Sequence, residues 1–201
     1  MDIKTVVVGD LGVNCYILSK GNKAILIDPG AEYQKIKTAL QGKKVQAVLL
    51  THGHFDHTGG VKQFQQDGAK VYVSKEDAKM LLDSYTSLAQ LFGYPFIPIK
   101  ADYTFDENDV LEFFGISLKI ILTPGHTSGS ACFLSGDILF SGDTLFNSSI
   151  GRTDFPGGDF EQIANSIRRK LYTLDENTIV LSGHGDQTTI KQEKLSNMFV
   201  R

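Results

Sequence analysis

The sequence of 201 residues contains little cysteine and no excess of either charge. Its two cysteines, Cys15 and Cys132, each lie in an apolar stretch typical of a buried strand. This excludes the disulfide framework of a small secreted protein, and a single disulfide is the alternative. The 20 lysines and arginines against 23 aspartates and glutamates give a net charge of −3. Such a balance disfavours nucleic acid or an anionic membrane as a partner.

Long apolar runs are also missing from the chain. No stretch approaches the roughly 20 residues that a membrane span needs, and the N-terminus lacks the pattern of a signal peptide. We therefore expect a cytoplasmic protein with no membrane partner. The length predicts one domain, residues 1–201, whose core is large enough to fold without disulfides or metals as staples.

Apolar runs separated by turn residues predict strands in both halves of the chain. Strands are predicted at 3–8, 13–18, 24–27, 45–50, 70–73, 110–113, 117–122, 130–134, 138–140 and 178–181. Helices are predicted up to Leu40, near 61–66 and 75–82, at about 159–171, and from about 188 to 198. The first three strands are expected to be antiparallel, and 45–50 to be covered on both faces. Strands followed by helices, twice over, predict an α/β (α+β) fold with two packed sheets and helices outside.

All five histidines are predicted to lie in loops just beyond strand ends, beside small or turn-forming residues. These histidines are His52, His54, His57, His126 and His184, and Asp56, Asp143 and Asp186 lie near them. A single histidine is ordinarily a structural residue, but five in such loops beside aspartates indicate a metal site. Imidazole and carboxylate donors without a nearby thiolate suit zinc, iron or manganese.

The spacing of these residues divides the ligands between two ions. In an extended segment, residues i and i+2 point to the same side, so His52 and His54 can bind one ion together. Asp56 and His57 come a step later and are better placed for a second ion. We expect one ion to be bound by His52, His54, His126 and Asp143, and the other by Asp56, His57, His184 and Asp143. These sets leave room for a shared water, as catalytic sites require.

The motif THGHFDH at 51–57 resembles the His-x-His-x-Asp-His signature of metallo-β-lactamase-fold hydrolases. Asp28 in IDPG, and the segments TPGHT, SGDTLF and SGHGD, resemble the other motifs of that superfamily in the same order, across residues 28–186. Within the superfamily the chain looks most like glyoxalase II (hydroxyacylglutathione hydrolase). The segment GRTDFP at 151–156 resembles the compact bacterial glyoxalase II-like proteins. The resemblance implies an αββα sandwich of two mixed β-sheets, with a binuclear metal site at one edge.

One departure from glyoxalase II concerns the end of the chain. The full-length enzyme carries a C-terminal helical domain that holds much of the glutathione, whereas only fifteen residues follow Asp186 in this sequence. Glutathione specificity is therefore not implied. We expect a single metallo-β-lactamase-fold domain without that helical domain, and the oligomeric state stays open.

The resemblance implies hydrolysis of an acyl-thioester such as S-D-lactoylglutathione by a hydroxide held between two metal ions. Asp56 and Asp143, with that hydroxide, are the expected catalytic groups. The expected cofactors are two divalent ions per chain, zinc first, with iron or manganese as alternatives. Asp28 is expected to orient a ligand histidine rather than to bind metal. The chain contains no Gly-x-Ser-x-Gly elbow for a serine nucleophile, and a small-molecule thioester is the partner expected.

Three residues are candidate substrate contacts. Arg152 either binds a substrate carboxylate or pairs with an acidic residue to fix its loop. Tyr85, in the aromatic segment 84–100, belongs either to a substrate lid or to the core. Phe146, in the motif that contains Asp143, is the third candidate.

Other reactions fit the same pattern of ligands. Persulfide dioxygenases, which hold a single iron and consume dioxygen, also resemble this chain. Lactonases and other ester hydrolases of the fold share the ligands. A metal-binding protein without turnover is a further alternative, although degenerate members usually lose ligands and here the set of seven is intact.

Overall fold

The computed structural model describes residues 1–201, which form two compact units. The first unit contains residues 1–105 and 113–115, and the second contains residues 106–112 and 116–201. A six-stranded mixed β-sheet lies in each unit, with helices alongside, as the sequence predicted. None of the helices combines the length and apolar character needed to cross a bilayer.

The sheet of the first unit is built from six strands in sequence order. They are β1 (Asp2–Val8), β2 (Val13–Lys20), β3 (Lys23–Ile27), β4 (Lys44–Leu49), β5 (Lys70–Ser74) and β6 (Tyr103–Phe105). The first three strands pair antiparallel, which confirms the prediction from their short turns. Strands β3 to β6 pair in parallel, because a helical connection separates each from the next. The second half of β4 is buried on both faces, also as predicted.

The helices of the first unit are short. They are α1 (Tyr33–Leu40), α2 (Phe55–Thr58), α3 (Val61–Gln66), a 3₁₀ helix (Asp77–Leu82) and α4 (Ala89–Phe92). The predicted helix near 75–82 is therefore a 3₁₀ helix that begins two residues later. The prediction that every histidine lies in a loop is wrong for His57, which lies in α2. This single turn of helix is too short to show a 3.6-residue pattern in the sequence.

Apolar side chains of the first sheet pack against α1 and α3. Along α1, Ile36 and Leu40 are buried one turn apart, which gives that helix its apolar face. Phe64 of α3 is fully buried in the same cluster as Leu26 and Val48 of the sheet. The core of this unit therefore holds the end of β4, from which the histidine motif emerges.

The remaining eight strands lie in the second unit, apart from Phe113 at the end of one strand, which belongs to the first unit. They are β7 (Val110–Phe113), β8 (Ile116–Leu122), β9 (Ala131–Ser135), β10 (Ile138–Gly142), β11 (Leu145–Phe146), β12 (Ser149–Ile150), β13 (Ile179–Ser182) and β14 (Thr188–Thr189). The six-stranded sheet has the order β14-β13-β10-β9-β8-β7, and β11 pairs with β12 as a separate hairpin. Strands β10 and β13 pair in parallel, whereas the pairs β10–β9, β13–β14 and β8–β9 are antiparallel.

Helices α5 (Phe160–Arg169) and α6 (Ile190–Ser196) lie in the second unit, with a 3₁₀ turn at Leu171–Thr173. The side chain of Asp159 accepts a hydrogen bond from the amide of Gln162, so α5 begins one residue later than predicted. Thr189 caps α6 in the same way, which explains why residues 188–189 are a strand end and not helix. Ile163 and Ile167 of α5 are fully buried against this sheet.

The two cysteines provide a test of this packing. Both thiols are free and fully buried in strands, and burial raises the pKa of each, that of Cys132 to about 11. At pH 8 we expect neither thiol of the native protein to react with an aromatic disulfide reagent, since the thiolate is scarce and covered. After denaturation, two thiols per chain should react. A rapid reaction of either thiol in the native protein would contradict the buried positions.

Candidate metal centre

The first unit places four predicted ligands directly after β4. His52 and His54 lie in the loop, whereas Asp56 and His57 lie in α2. The three histidines are buried. The ligating atoms of His52 lie within 4.8 Å of those of both His54 and His57, and Asp56 and His57 are equally close. The first unit thus contains a cluster of histidine and aspartate side chains that can bind metal.

A single buried carboxylate orients two of these histidines. Oδ2 of Asp28 lies 3.0 Å from Nδ1 of His57 and accepts a hydrogen bond of 2.6 Å from the hydroxyl of Thr51. Oδ1 of Asp28 accepts from the amide of Thr51 at 2.8 Å. The Thr51 hydroxyl oxygen, whose hydrogen points to Asp28, lies 3.1 Å from Nδ1 of His52. Asp28 therefore contacts His57 directly and His52 through one hydroxyl.

This network determines which ring nitrogen each histidine offers to a metal. A carboxylate oxygen only accepts, so Nδ1 of His57 carries the proton and Nε2 keeps its lone pair. The same holds for His52, because the hydrogen of Thr51 is already donated to Asp28. The expectation that Asp28 orients a ligand histidine fits this geometry, which is the usual arrangement behind a metal-bound imidazole.

The loop that carries Asp28 packs against α2 by backbone contact. A Cβ at Gly30 would overlap the carbonyl oxygen of Asp56, and a Cβ at Gly60 would overlap that of Pro29. The amide of Gly60 also donates to the carbonyl oxygen of Pro29 at 2.8 Å. Glycine is required at 30 and 60 because only its backbone allows this approach. The close packing holds Asp28 within hydrogen-bonding distance of His57.

Sequence reasoning missed Asp77, a further carboxylate beneath the histidine loop. It is fully buried in the 3₁₀ helix, and its Oδ2 accepts a hydrogen bond of 3.0 Å from the amide of Gly53. Gly53 separates His52 from His54, so Asp77 holds the backbone between two ligands. No signal in the sequence indicated this role, because Asp77 lies 24 residues beyond Gly53 and outside every motif.

The second unit places three predicted ligands beyond the ends of its strands. His126 follows β8, Asp143 follows β10 directly, and His184 follows β13. Oδ2 of Asp143 lies 3.7 Å from Nε2 of His126 and 3.6 Å from Nε2 of His184. Nδ1 of His126 donates to the carbonyl oxygen of Arg152 at 2.7 Å, which again leaves Nε2 for a metal.

These separations fit ligands of a common ion. Two donors about 2.1 Å from a tetrahedral ion lie about 3.4 Å apart. The distances from Asp143 to its two histidines are close to this value, and so is the 3.7 Å between Nε2 of His57 and Oδ2 of Asp56. The donors present, imidazole nitrogen and carboxylate oxygen, suit zinc, iron and manganese. Both units therefore contain histidine and aspartate groups that fit a divalent metal.

A buried glutamate, also missed from the sequence, holds the loop that follows Asp143. Glu193 of α6 is fully buried and accepts from the amide of Ser148, the hydroxyl of Thr188 and the side-chain amide of Asn197. Ser148 has a left-handed backbone, with φ of 61°. The carboxylate therefore fixes the β11–β12 turn that lies between Asp143 and Arg152.

The predicted substrate contacts lie in different environments. Arg152 makes two hydrogen bonds to Asp154, of 2.8 and 2.7 Å, and its guanidinium lies 3.9 Å from the ring centroid of Phe155. The Arg152 guanidinium lowers the pKa of Asp154 to about 2. The ring of Phe146 lies edge-on to His184, with centroids 6.2 Å apart. Tyr85 is exposed, and the role of each residue in substrate binding stays a prediction.

Comparison with known proteins shows the family. A model described as the metallo-beta-lactamase superfamily matches residues 8–184. The chain belongs to this superfamily. Two six-stranded mixed sheets with helices agree with the metallo-β-lactamase fold, and the chain is a metallo-hydrolase of that fold.

Relatives of this metallo-hydrolase include a hydroxyacylglutathione hydrolase, GloC, from Haemophilus influenzae, 39% identical over all of this chain and 98% of that protein. Among solved structures, the BLEG-1 B3 metallo-beta-lactamase matches with a TM-score of 0.93 and 36% identity over 99% of both chains. TTHA1623 in a di-iron-bound form matches with a TM-score of 0.87 and 34% identity, over 98% of this chain and 99% of that one. ETHE1 from Myxococcus xanthus matches with a TM-score of 0.82 and 27% identity, over 100% of this chain and 84% of that one.

Replacing Asp28 tests its control of the histidines. Asn at this position keeps the shape of the side chain and tolerates the left-handed backbone, for which φ is 49°. In Asp28→Asn we expect metal affinity to fall by about 10- to 100-fold, the usual cost of removing a carboxylate behind a ligand histidine. Competition with a chromogenic chelator measures this loss.

The matched control is Asp67→Asn, which removes an exposed ion pair with Lys37 and should leave metal affinity unchanged. Equal metal affinity of Asp28→Asn and the wild-type protein would show that Asp28 does not set the ligand geometry.

Proposed function

We propose that the protein is a binuclear metal-dependent thioester hydrolase of the glyoxalase II type. The observation that carries the proposal is the position of Asp143, whose Oδ2 lies 3.6 to 3.7 Å from the Nε2 atoms of two histidines. In the proposed assignment His52, His54, His126 and Asp143 bind one ion. The other ion is bound by Asp56, His57, His184 and Asp143.

The chemistry that two bound ions would supply is a water of lowered pKa and a polarised acyl carbonyl. The chain contributes the orientation of the donors. Asp28 accepts the Nδ1 proton of His57 directly and fixes that of His52 through Thr51, so Nε2 of each ring is free to bind metal. The carbonyl oxygen of Arg152 accepts the Nδ1 proton of His126, with the same result. Asp56 and Asp143 supply two negative charges that would offset part of the charge of two divalent ions.

The thioester is proposed as the substrate because a thiolate is a good leaving group and needs no strong general acid. The 39% identity to GloC supports this assignment. That alignment covers 98% of GloC, so a protein carrying the hydroxyacylglutathione hydrolase name matches this chain over nearly its whole length. Zinc as the metal and a cytoplasmic location are part of the same proposal.

Arg152 is proposed to fix its loop. Its two hydrogen bonds to Asp154 and the stacking on Phe155 use the planar face and one edge of the guanidinium. The backbone carbonyl of Arg152 meets His126, so the ion pair supports the segment that orients a ligand. A substrate carboxylate would have to compete with Asp154 for that edge.

A persulfide dioxygenase that uses a single iron is the second candidate. The likeness to ETHE1 fits this alternative, and the di-iron-bound form of TTHA1623 indicates that a protein 34% identical to this chain binds iron. Histidine and carboxylate ligands bind iron as readily as zinc, so the donor set fits both reactions.

Hydrolysis of S-D-lactoylglutathione by metal-replete protein tests the proposed function. We expect turnover in the wild-type protein and a loss of at least 100-fold in Asp143→Ala, which lacks the carboxylate nearest to two histidines. Release of free thiol measures the reaction. Asp137→Ala, a change at an exposed residue, is the matched control and should retain full activity.

Oxygen consumption with glutathione persulfide separates the two candidates. A hydrolase should release thiol from the thioester and leave the oxygen concentration unchanged. Oxygen uptake by the iron-loaded protein, without thioester hydrolysis, would instead identify the dioxygenase.

A further inference from the structure

A cavity of about 280 Å³ lies within the first unit, on one face of α2 and the start of α3. Phe55, Thr58, Gly59 and Lys62 line it, and their spacing places them together on one side of these helical turns. The turn between β1 and β2 forms a second wall, and residues 94–99 form a third.

Most of the exposed wall of the cavity is apolar, and four charged residues also line it: Asp10, Glu32, Asp56 and Lys62. Val8, Val13 and Ile99 are buried and form its inner surface. Leu11 and Ile97 stand at the entrance with about half of their surface exposed. Exposed aliphatic side chains on two walls of a cavity favour an apolar ligand, because binding would remove both from water.

The cavity borders the proposed metal ligands through Asp56, which lines it. Tyr94 belongs to the same wall, where its ring packs 4.6 Å from that of Phe55 and its hydroxyl donates to Asp10 at 3.3 Å. Desolvation and the Asp10 carboxylate raise the pKa of Tyr94, and the Asp56 carboxylate adds to this effect. The hydrogen bond from the Tyr94 hydroxyl ties residues 94–99 to the β1–β2 turn.

We propose that this cavity receives an apolar acyl chain of about four to eight carbons, carried by the thioester that the enzyme hydrolyses. The inference rests on the proposed function and names its substrate class. An engineered cavity of about 150 Å³ holds one benzene molecule, so 280 Å³ suits an acyl chain or a single ring. A thiol carrier with carboxylates fits poorly here, because the walls are mostly apolar and three of the four charged residues that line them, Asp10, Glu32 and Asp56, are acidic.

The reaction is balanced by water alone. The C–S bond of the thioester breaks as a C–O bond forms with water, giving a carboxylic acid and a thiol, and one proton of the water ends on the sulfur. With the acyl chain in the cavity, the scissile carbonyl lies on the side of Asp56, and the thiol carrier stays outside.

Chain-length dependence of the kinetics tests the proposal. N-acetylcysteamine thioesters of acetate, butyrate and hexanoate share one uncharged carrier and differ only in the acyl chain. We expect KM to fall by about 100-fold from acetyl to hexanoyl, because all four added methylenes are removed from water. In Ile97→Trp, whose indole would fill the entrance, the ratio of the hexanoyl KM to the acetyl KM should rise by about tenfold.

The control variant is Val110→Trp, a substitution of equal kind at a valine that is 53% exposed, against 54% for Ile97. It lies outside the cavity and should keep the wild-type ratio of KM values. KM values that do not depend on chain length would overturn the proposal. So would a ratio of hexanoyl to acetyl KM that changes equally in Ile97→Trp and Val110→Trp.

A binding measurement separates this inference from the proposed function. The S-hexyl and S-methyl thioethers of N-acetylcysteamine cannot be hydrolysed, and methyl NMR of Leu11, Val13, Ile97 and Ile99 reports occupation of the cavity. We expect shifts with the hexyl compound only.

Hexyl-specific shifts without thioesterase activity would support an apolar ligand in the cavity, but they would reject the proposed function and the thioester as the carrier of that ligand. Thioesterase activity without these shifts, and without chain-length dependence, would reject the cavity and support the function. The absence of both shifts and activity would reject both proposals.

Discussion

The carboxylate of Asp28 holds two histidines in position at once, His57 by direct contact and His52 through the hydroxyl of Thr51. Burying a carboxylate is costly unless its oxygens are hydrogen-bonded, and here both oxygens are. The backbone of Asp28 is left-handed, a strain that the surrounding contacts must support. Gly30 provides that support, because the loop can approach α2 only where no Cβ intervenes.

The elements predicted well from the sequence were those with a local signal. The strands of the first sheet carry apolar runs bounded by glycine turns, and α5 carries an aspartate cap and an apolar stripe at 163 and 167. The candidate ligands were also identifiable, because histidine and aspartate clustered at strand ends are seldom structural. The motif order from 28 to 186 then pointed to the superfamily that the family model confirmed over residues 8–184.

Residues without a local signal were missed. Asp77 and Glu193 each receive backbone amides from segments distant in sequence, and a single carboxylate in a polar stretch looks like an ordinary surface residue until the chain is folded. The helix that contains His57 is one turn long, and the strand at 188–189 has two residues. Such elements are stabilised by tertiary contacts, so neither propensity nor periodicity could predict them.

Glu193 also has a consequence for the order in which the protein matures. The β11–β12 turn is synthesised 45 residues before the carboxylate that receives the amide of Ser148. During translation the amide of this left-handed serine lacks its carboxylate acceptor until Glu193 has been synthesised. We therefore expect the loop beside Asp143 to be among the last parts of the second unit to become ordered.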